Sequence, residues 1–138
     1  MKKFLALALF GATAVAGVSA PALSEACRCQ APRPVADRLE TTDAVFYGKV
    51  TSVTSTGDEN TGTHTHTFAV RRVWKGELSA TIRVRTNQSS AACGTRFTRG
   101  ASYLIFASKQ GRSWHTGVCS GNLSGGGAAA AANQLGPR

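Results

Sequence analysis

Four cysteines, Cys27, Cys29, Cys93 and Cys119, constrain this chain more than any other feature of its 138 residues. In an oxidising compartment an even cysteine count reads as a disulfide framework. Cys27 and Cys29 flank a single residue and cannot easily bond each other, so each must reach a distant partner. Two pairings remain: Cys27 to Cys93 with Cys29 to Cys119, or the swap. Either closes loops of many tens of residues, each stabilising by on the order of 4 kcal/mol on the chain-entropy estimate, which matters to a domain this small. Metal ligation fits less well. The sequence has no Cys-x-x-Cys, and none of its histidines stands at ligand spacing from a cysteine. No metal of its own and no cofactor are expected.

The N-terminus says how the cysteines come to be oxidised. Lys2 and Lys3 precede an uncharged apolar run over residues 4–18, and small residues follow at Ser19, Ala20 and Ala22. That is the pattern of a secretory signal peptide. Its core is shorter than the roughly 20 residues of a membrane-spanning helix, and no later window comes close, so the mature chain is expected to be soluble rather than transmembrane, in the periplasm or outside the cell. Cleavage after Ala22 or after Ala26 satisfies the small-residue rule, and the second would leave Cys27 first, with a free α-amine. A lipoprotein signal would want an aliphatic residue three places before the cysteine, where Ser24 stands. The expected organisation is a signal peptide over 1–26, a folded domain over 27–124, and a Gly/Ala-rich tail or short helix over 125–138.

Without residues 1–26 the chain keeps 14 basic and 6 acidic side chains, a net charge of +8. Arg38, Lys49, Arg71, Arg72, Arg83, Arg85, Arg96 and Arg99 are spread along strand-like segments without a dense block. That reads first as solubilising charge and second as affinity for an anionic surface or glycan. There is no RNA-reading signature or interleaved aromatic stripe, so no specific nucleic-acid partner is expected.

Strand signals dominate the rest. Residues 30–34 hold two prolines and should be extended, and 35–40 offers a short helix. Residues 44–53 are rich in β-branched and aromatic types, with Gly48 placed where a barrel strand bends or bulges. After a polar turn over 54–62, residues 63–74 return as a long strand with Phe68, Val70 and Val73 inward. Residues 80–86 alternate Ile82 and Val84 against Arg83 and Arg85, a half-buried strand. Residues 101–108 form a buried run and 113–119 a fifth strand. Five short strands and one small helix predict an all-β fold, a closed or nearly closed antiparallel barrel.

Polar singletons add little. His64 and His66 share one face at period two and read as an exposed strand edge rather than half a metal site. His115 is equally unremarkable, and Trp74 and Trp114 read as core or barrel-end packing. Without a serine matched to a histidine and an acid, and without paired carboxylates, the chain is not expected to be an enzyme.

Cys27-Arg28-Cys29, Asp43-Ala44-Val45-Phe46-Tyr47-Gly48-Lys49-Val50, Val73-Trp74-Lys75-Gly76, Ser89-Ser90-Ala91-Ala92-Cys93-Gly94, Gly100 with Tyr103-Leu104, and Cys119 together resemble the N-terminal inhibitory domain of tissue inhibitors of metalloproteinases (TIMPs). The resemblance covers nearly all of the mature chain. It implies a five-stranded, netrin-like OB-fold barrel with one or two short helices, and the pairing Cys27–Cys93 and Cys29–Cys119. It also implies a function as an inhibitor whose Cys27 amine and carbonyl oxygen chelate the catalytic zinc of a metalloprotease partner; separately, the chain is expected to be a monomer. Carried over by position, the protease-contact ridge is Arg28, Cys29 and Gln30 beside Ser90, Ala91 and Ala92. The chain departs from the family at Arg28, where a small or hydroxylated residue is usual, and at Pro32, displaced from its usual place. The third disulfide and the C-terminal domain of the animal proteins have no counterpart. The alternative is a netrin-like binding module for an anionic envelope component or a protein, without inhibitory activity.

Overall fold

The computed structural model describes residues 27–137 and, separately, Gly17. The expected signal peptide and both cleavage points lie outside the described residues, Gly17 excepted.

Five strands close a ring: β1 (Ala44–Thr56), β2 (Thr63–Lys75), β3 (Thr81–Asn87), β4 (Ser102–Gln110) and β5 (Ser113–His115). The order is β1-β2-β3-β5-β4, and β4 pairs back onto β1. This is a five-stranded OB-fold barrel. A sixth strand, β6 (Leu123–Ser124), adds to the outer side of β4. The all-antiparallel barrel expected from strand patterning is corrected at one seam, since β3 and β5 run parallel. The reason is parity: strand direction cannot alternate around a closed ring of odd number, so one neighbouring pair must be parallel. The fifth strand is also shorter than expected, ending at His115 before a single 3₁₀ turn at Val118–Ser120.

Two apolar layers explain the two sequence patterns. Inside the barrel, Phe46, Val50, Phe68, Ile82, Val84 and Ile105 pack together. Outside it, Val45, Trp74, Leu104 and Phe106 are covered by α1 (Val35–Thr41) and α2 (Gly125–Leu135). Strands β1 and β4 are therefore buried on both faces and read as continuous apolar runs, whereas β3 is buried on one face and alternates strictly. Ala128 and Ala131, one turn apart on α2, are the residues pressed onto the sheet, and their small side chains let the helix sit close. The Trp74 indole N–H donates to the Gly136 carbonyl at 2.9 Å, which ties the end of α2 to β2.

Gly48 is where β1 bends. The register with β2 shifts between Tyr47 and Gly48, and a Cβ at Gly48 would lie 2.8 Å from the Ala69 carbonyl oxygen, closer than real contacts allow.

The segment between β3 and β4 plugs the barrel. Phe97 is buried there, edge-on to His66 (5.0 Å between ring centroids), Phe68 (5.7 Å) and Tyr103 (4.9 Å). Its N–H donates to His66 Nε2 at 3.1 Å. The expectation of an exposed histidine edge is thus wrong for His66, which is 0 % exposed. Its side chain points inward with Phe68, on the same face of β2, and serves as the acceptor for the plug's backbone. Because Nε2 accepts, the neutral ring carries its proton on Nδ1, and Nδ1 has no hydrogen-bond partner. Burial first, then the nearby His64 and Arg96, pushes the His66 pKa down from 6.5 to about 4.

Candidate functional site

Three segments that share no strand meet at one edge of the molecule. The first, 27–30, is extended and carries Cys27, Arg28, Cys29 and Gln30. The second is the turn 89–94, in which the Cys93 N–H donates to the Ser90 carbonyl (3.1 Å) and the Gly94 N–H to the Ser89 carbonyl (3.0 Å). Asn87 Nδ2 braces it from below, donating to the Ala92 carbonyl at 2.8 Å. The third is 117–121, around the 3₁₀ turn.

Disulfides join them. Cys27 pairs with Cys93 and Cys29 with Cys119, with Cα separations of 5.0 and 5.1 Å, so of the two pairings open to the cysteines the one implied by the TIMP resemblance is present. The bridges touch: Cys27 Sγ lies 3.4 Å from Cys119 Sγ, and Cys119 Sγ lies 4.0 Å from Cys93 Sγ. Three sulfurs within 4.8 Å of one another could suggest a metal cluster, but all belong to disulfides and none is a thiolate. The Val118 N–H donates to the Cys93 carbonyl at 2.9 Å, closing the triangle of segments. Cys93 itself has φ +62°, the sole described non-glycine residue with positive φ, and carries the modest strain that such a backbone costs a side-chain-bearing residue.

The third segment is held to the barrel by a closed polar network. Asn122 Oδ1 accepts from the Phe106 N–H (2.8 Å), while its Nδ2 donates to Thr116 Oγ1 (2.8 Å) and to the Gly117 carbonyl. Thr116 Oγ1 in turn donates to the Phe106 carbonyl at 2.8 Å. Replacing Asn122 with Ala strands the Phe106 amide between strands. The expected cost is about 2 kcal/mol in urea unfolding, with faster hydrogen exchange at that amide. An unchanged exchange rate would show that the network does not anchor the segment.

Arg38 braces the other side. Its Nε donates to the Arg33 carbonyl at 3.0 Å, its Nη1 donates to the Gly121 carbonyl, and its guanidinium lies over the Phe106 ring at 4.9 Å. Gly121 has φ +81°, and a Cβ there would collide with this guanidinium, so the position requires glycine twice over. Arg38 is therefore partly buried structure, not the free surface charge that its sequence context suggests.

At the surface, Arg28, Cys29, Gln30, Ser90, Ala91 and Ala92 are exposed and Cys27 is half-buried. A hollow of about 450 Å³ runs beside the ridge, bounded by Arg28, Gln30, Arg33, Arg38 and Val118. Val118, 52 % exposed, is the large apolar side chain most open to solvent among the described residues. The sequence pattern does not reveal it, because 113–119 reads as one strand that puts Val118 on the same face as Trp114, whereas the strand ends at His115 and Val118 opens the 3₁₀ turn. Its neighbour Cys119 was the available signal, since a disulfide to the N-terminal segment had to bring both to one edge.

The other singled-out residues fall elsewhere. His64 Nδ1 lies 2.7 Å from Ser55 Oγ, and its ring is 6.1 Å from that of His66. Trp74 is buried under α2 with the Arg72 guanidinium 4.5 Å over its ring, and Trp114 is half-buried against the barrel interior. His115, beside Arg85, is lowered in pKa by partial burial and then by that charge. A scan against known protein families finds no match, and no curated protein matches the chain either.

Proposed function

We propose that this chain is an exported, TIMP-like inhibitor of a zinc metalloprotease, acting through Cys27 once residues 1–26 are removed. One observation carries the reading: Cys27 and Cys29 lie at an exposed edge outside every strand, fixed by two touching disulfides to the turns at 89–94 and 117–121. A segment pinned at two covalent points has little freedom left to lose when it enters a cleft, which lowers the entropic cost of binding.

The chemistry follows from that pinning. A catalytic zinc keeps one position open for water or substrate. The α-amine and carbonyl oxygen of a terminal Cys27 form a five-membered chelate that would occupy it and displace the attacking water. The reference pKa of an α-amine is about 8, so zinc displaces its proton at neutral pH. Arg28 would enter the adjoining specificity pocket, which must then be deep or acidic. Ser90, Ala91, Ala92 and Val118 flank the chelating residue and suit the walls of a cleft. The disulfides, and the lack of any helix among the described residues long and apolar enough to cross a membrane, agree with a periplasmic or extracellular site of action.

The test compares two forms of the oxidised protein against a panel of zinc metalloproteases, one starting at Cys27 and one with a single alanine in front of it. The Cys27 form inhibits at least one protease, and the extended form is weaker by on the order of 100-fold, equivalent to about 2.7 kcal/mol. Equal inhibition by both forms overturns the mechanism. So does N-terminal sequencing that finds the exported chain starting at Leu23, or a lipid on Cys27.

A further inference from the structure

The outer faces of β1 and β4 are covered by helices, but the outer face shared by β2, β3 and the far half of β1 is not. A groove of about 600 Å³ runs across it, comparable with the roughly 300–1,000 Å³ of small-ligand sites. The strand register lays two rows across its floor. Ser52 pairs with Thr67 and Thr67 with Arg83, while Thr54 pairs with Thr65 and Thr65 with Arg85. Each row reads hydroxyl, hydroxyl, guanidinium. Arg112, from the β4–β5 turn, supplies a third guanidinium at the rim beside Trp114, and Glu77 is the one acidic residue in the lining.

Charges that look scattered along the sequence are thus gathered by the fold. We propose that this groove binds an acidic polysaccharide, with Arg83, Arg85 and Arg112 on its sulfate or carboxylate groups and the Ser/Thr rows on its hydroxyls. Arginine's planar fork suits both anions, and the net charge of +8 on residues 27–138 attracts such a polymer over distance. Hydroxyl rows match a ligand rich in hydroxyls. A single-stranded nucleic acid fits less well, because it would want successive aromatic platforms where this lining has the single indole of Trp114. That indole is half-buried, with Lys109 Nζ 5.0 Å from its ring centre, and offers one apolar surface at the groove's edge. No ridge residue lines the groove, so this binding and protease inhibition can succeed or fail separately.

The experiment measures binding of the oxidised mature protein to a heparin oligosaccharide, to polygalacturonate and to a single-stranded oligodeoxynucleotide, at two salt concentrations. Two variants each remove three charges: R83Q/R85Q/R112Q within the groove, and K49Q/R71Q/R99Q, exposed residues outside its lining. At least one of the two polysaccharides binds, and the groove variant weakens that binding by about tenfold or more, while the control variant weakens it by less than about threefold. The bound sugar also shifts the Trp114 indole N–H resonance. Preference for sulfated over carboxylated sugar, or the reverse, identifies the acidic group. Equal losses in the two variants mean attraction by net charge alone and overturn the site. Tighter binding of the oligonucleotide than of either polysaccharide overturns the ligand class. Circular dichroism of both variants checks that these exposed substitutions leave the barrel folded.

Discussion

Serine at both Cys29 and Cys119 lowers the unfolding free energy by about 4–5 kcal/mol, and full reduction of both bridges leaves no folded population at room temperature. The disulfides close spans of 90 and 66 residues. On the chain-entropy estimate each removes about 4–5 kcal/mol of unfolded-state freedom. A domain of this size has only about 5–15 kcal/mol in total, so losing one bridge is severe and losing both is decisive. Urea unfolding followed by tryptophan fluorescence, with and without reductant, reads the effect directly, since Trp74 is buried against α2. A loss under about 1 kcal/mol for the double serine variant would mean that the unfolded chain is already restrained by other contacts.

The second large effect is a loss of stability in mild acid, of about 3 kcal/mol between pH 6.5 and pH 4, set by His66. Its folded pKa is depressed from 6.5 to about 4. Above pH 6.5 the residue is neutral in both states and its contribution is fully present. Between the two values the unfolded chain takes up a proton that the folded one refuses, so stability falls as the pH falls. Below about pH 4 both states are protonated and the loss stops growing. His115, also depressed, adds in the same direction. Phe at position 66 removes the acceptor for the Phe97 N–H, so H66F is less stable at pH 7, but its decline between pH 6.5 and 4.5 is much shallower than that of the wild type. Histidine Cε1 resonances followed by NMR give the same answer residue by residue. A His66 that titrates near 6.5 in the folded protein would contradict its burial and remove the effect.

Much of the barrel was legible because its strands differ in how many faces they bury. The alternation of Ile82 and Val84 with Arg83 and Arg85 could mean only a strand with one wet face, and that is what β3 is. The run at 103–107 announced burial, but a run cannot say what covers it. Only the fold shows that Leu104 and Phe106 face the helices while Ile105 and Ala107 face the barrel. His66 was misread because histidine is usually exposed or half-exposed, and nothing local announced that Phe97, 31 residues later, would bring an amide needing an acceptor. The cysteines showed that 27–29 must reach two distant points, leaving the choice of partners to the resemblance. The groove was illegible for a different reason: Thr65 and Arg85, or Ser52 and Arg83, become neighbours only through strand register, which no single strand encodes.

The interleaving of the two bridges also alters what a cut can do to the molecule. One bridge runs from residue 27 to 93 and the other from 29 to 119. A single break of the backbone anywhere between residues 30 and 118 leaves at least one bridge spanning the break. Either fragment therefore stays covalently attached to the other, and the ridge at 27–30 keeps at least one of its two tethers to the barrel. The hairpin turns at 57–61 and 111–112, exposed and apt for nicking, can be severed without releasing a piece. That connectivity makes loss of mass a poor measure of backbone damage, because the fragments of a chain cut once between residues 30 and 118 come apart only when the bridges are reduced.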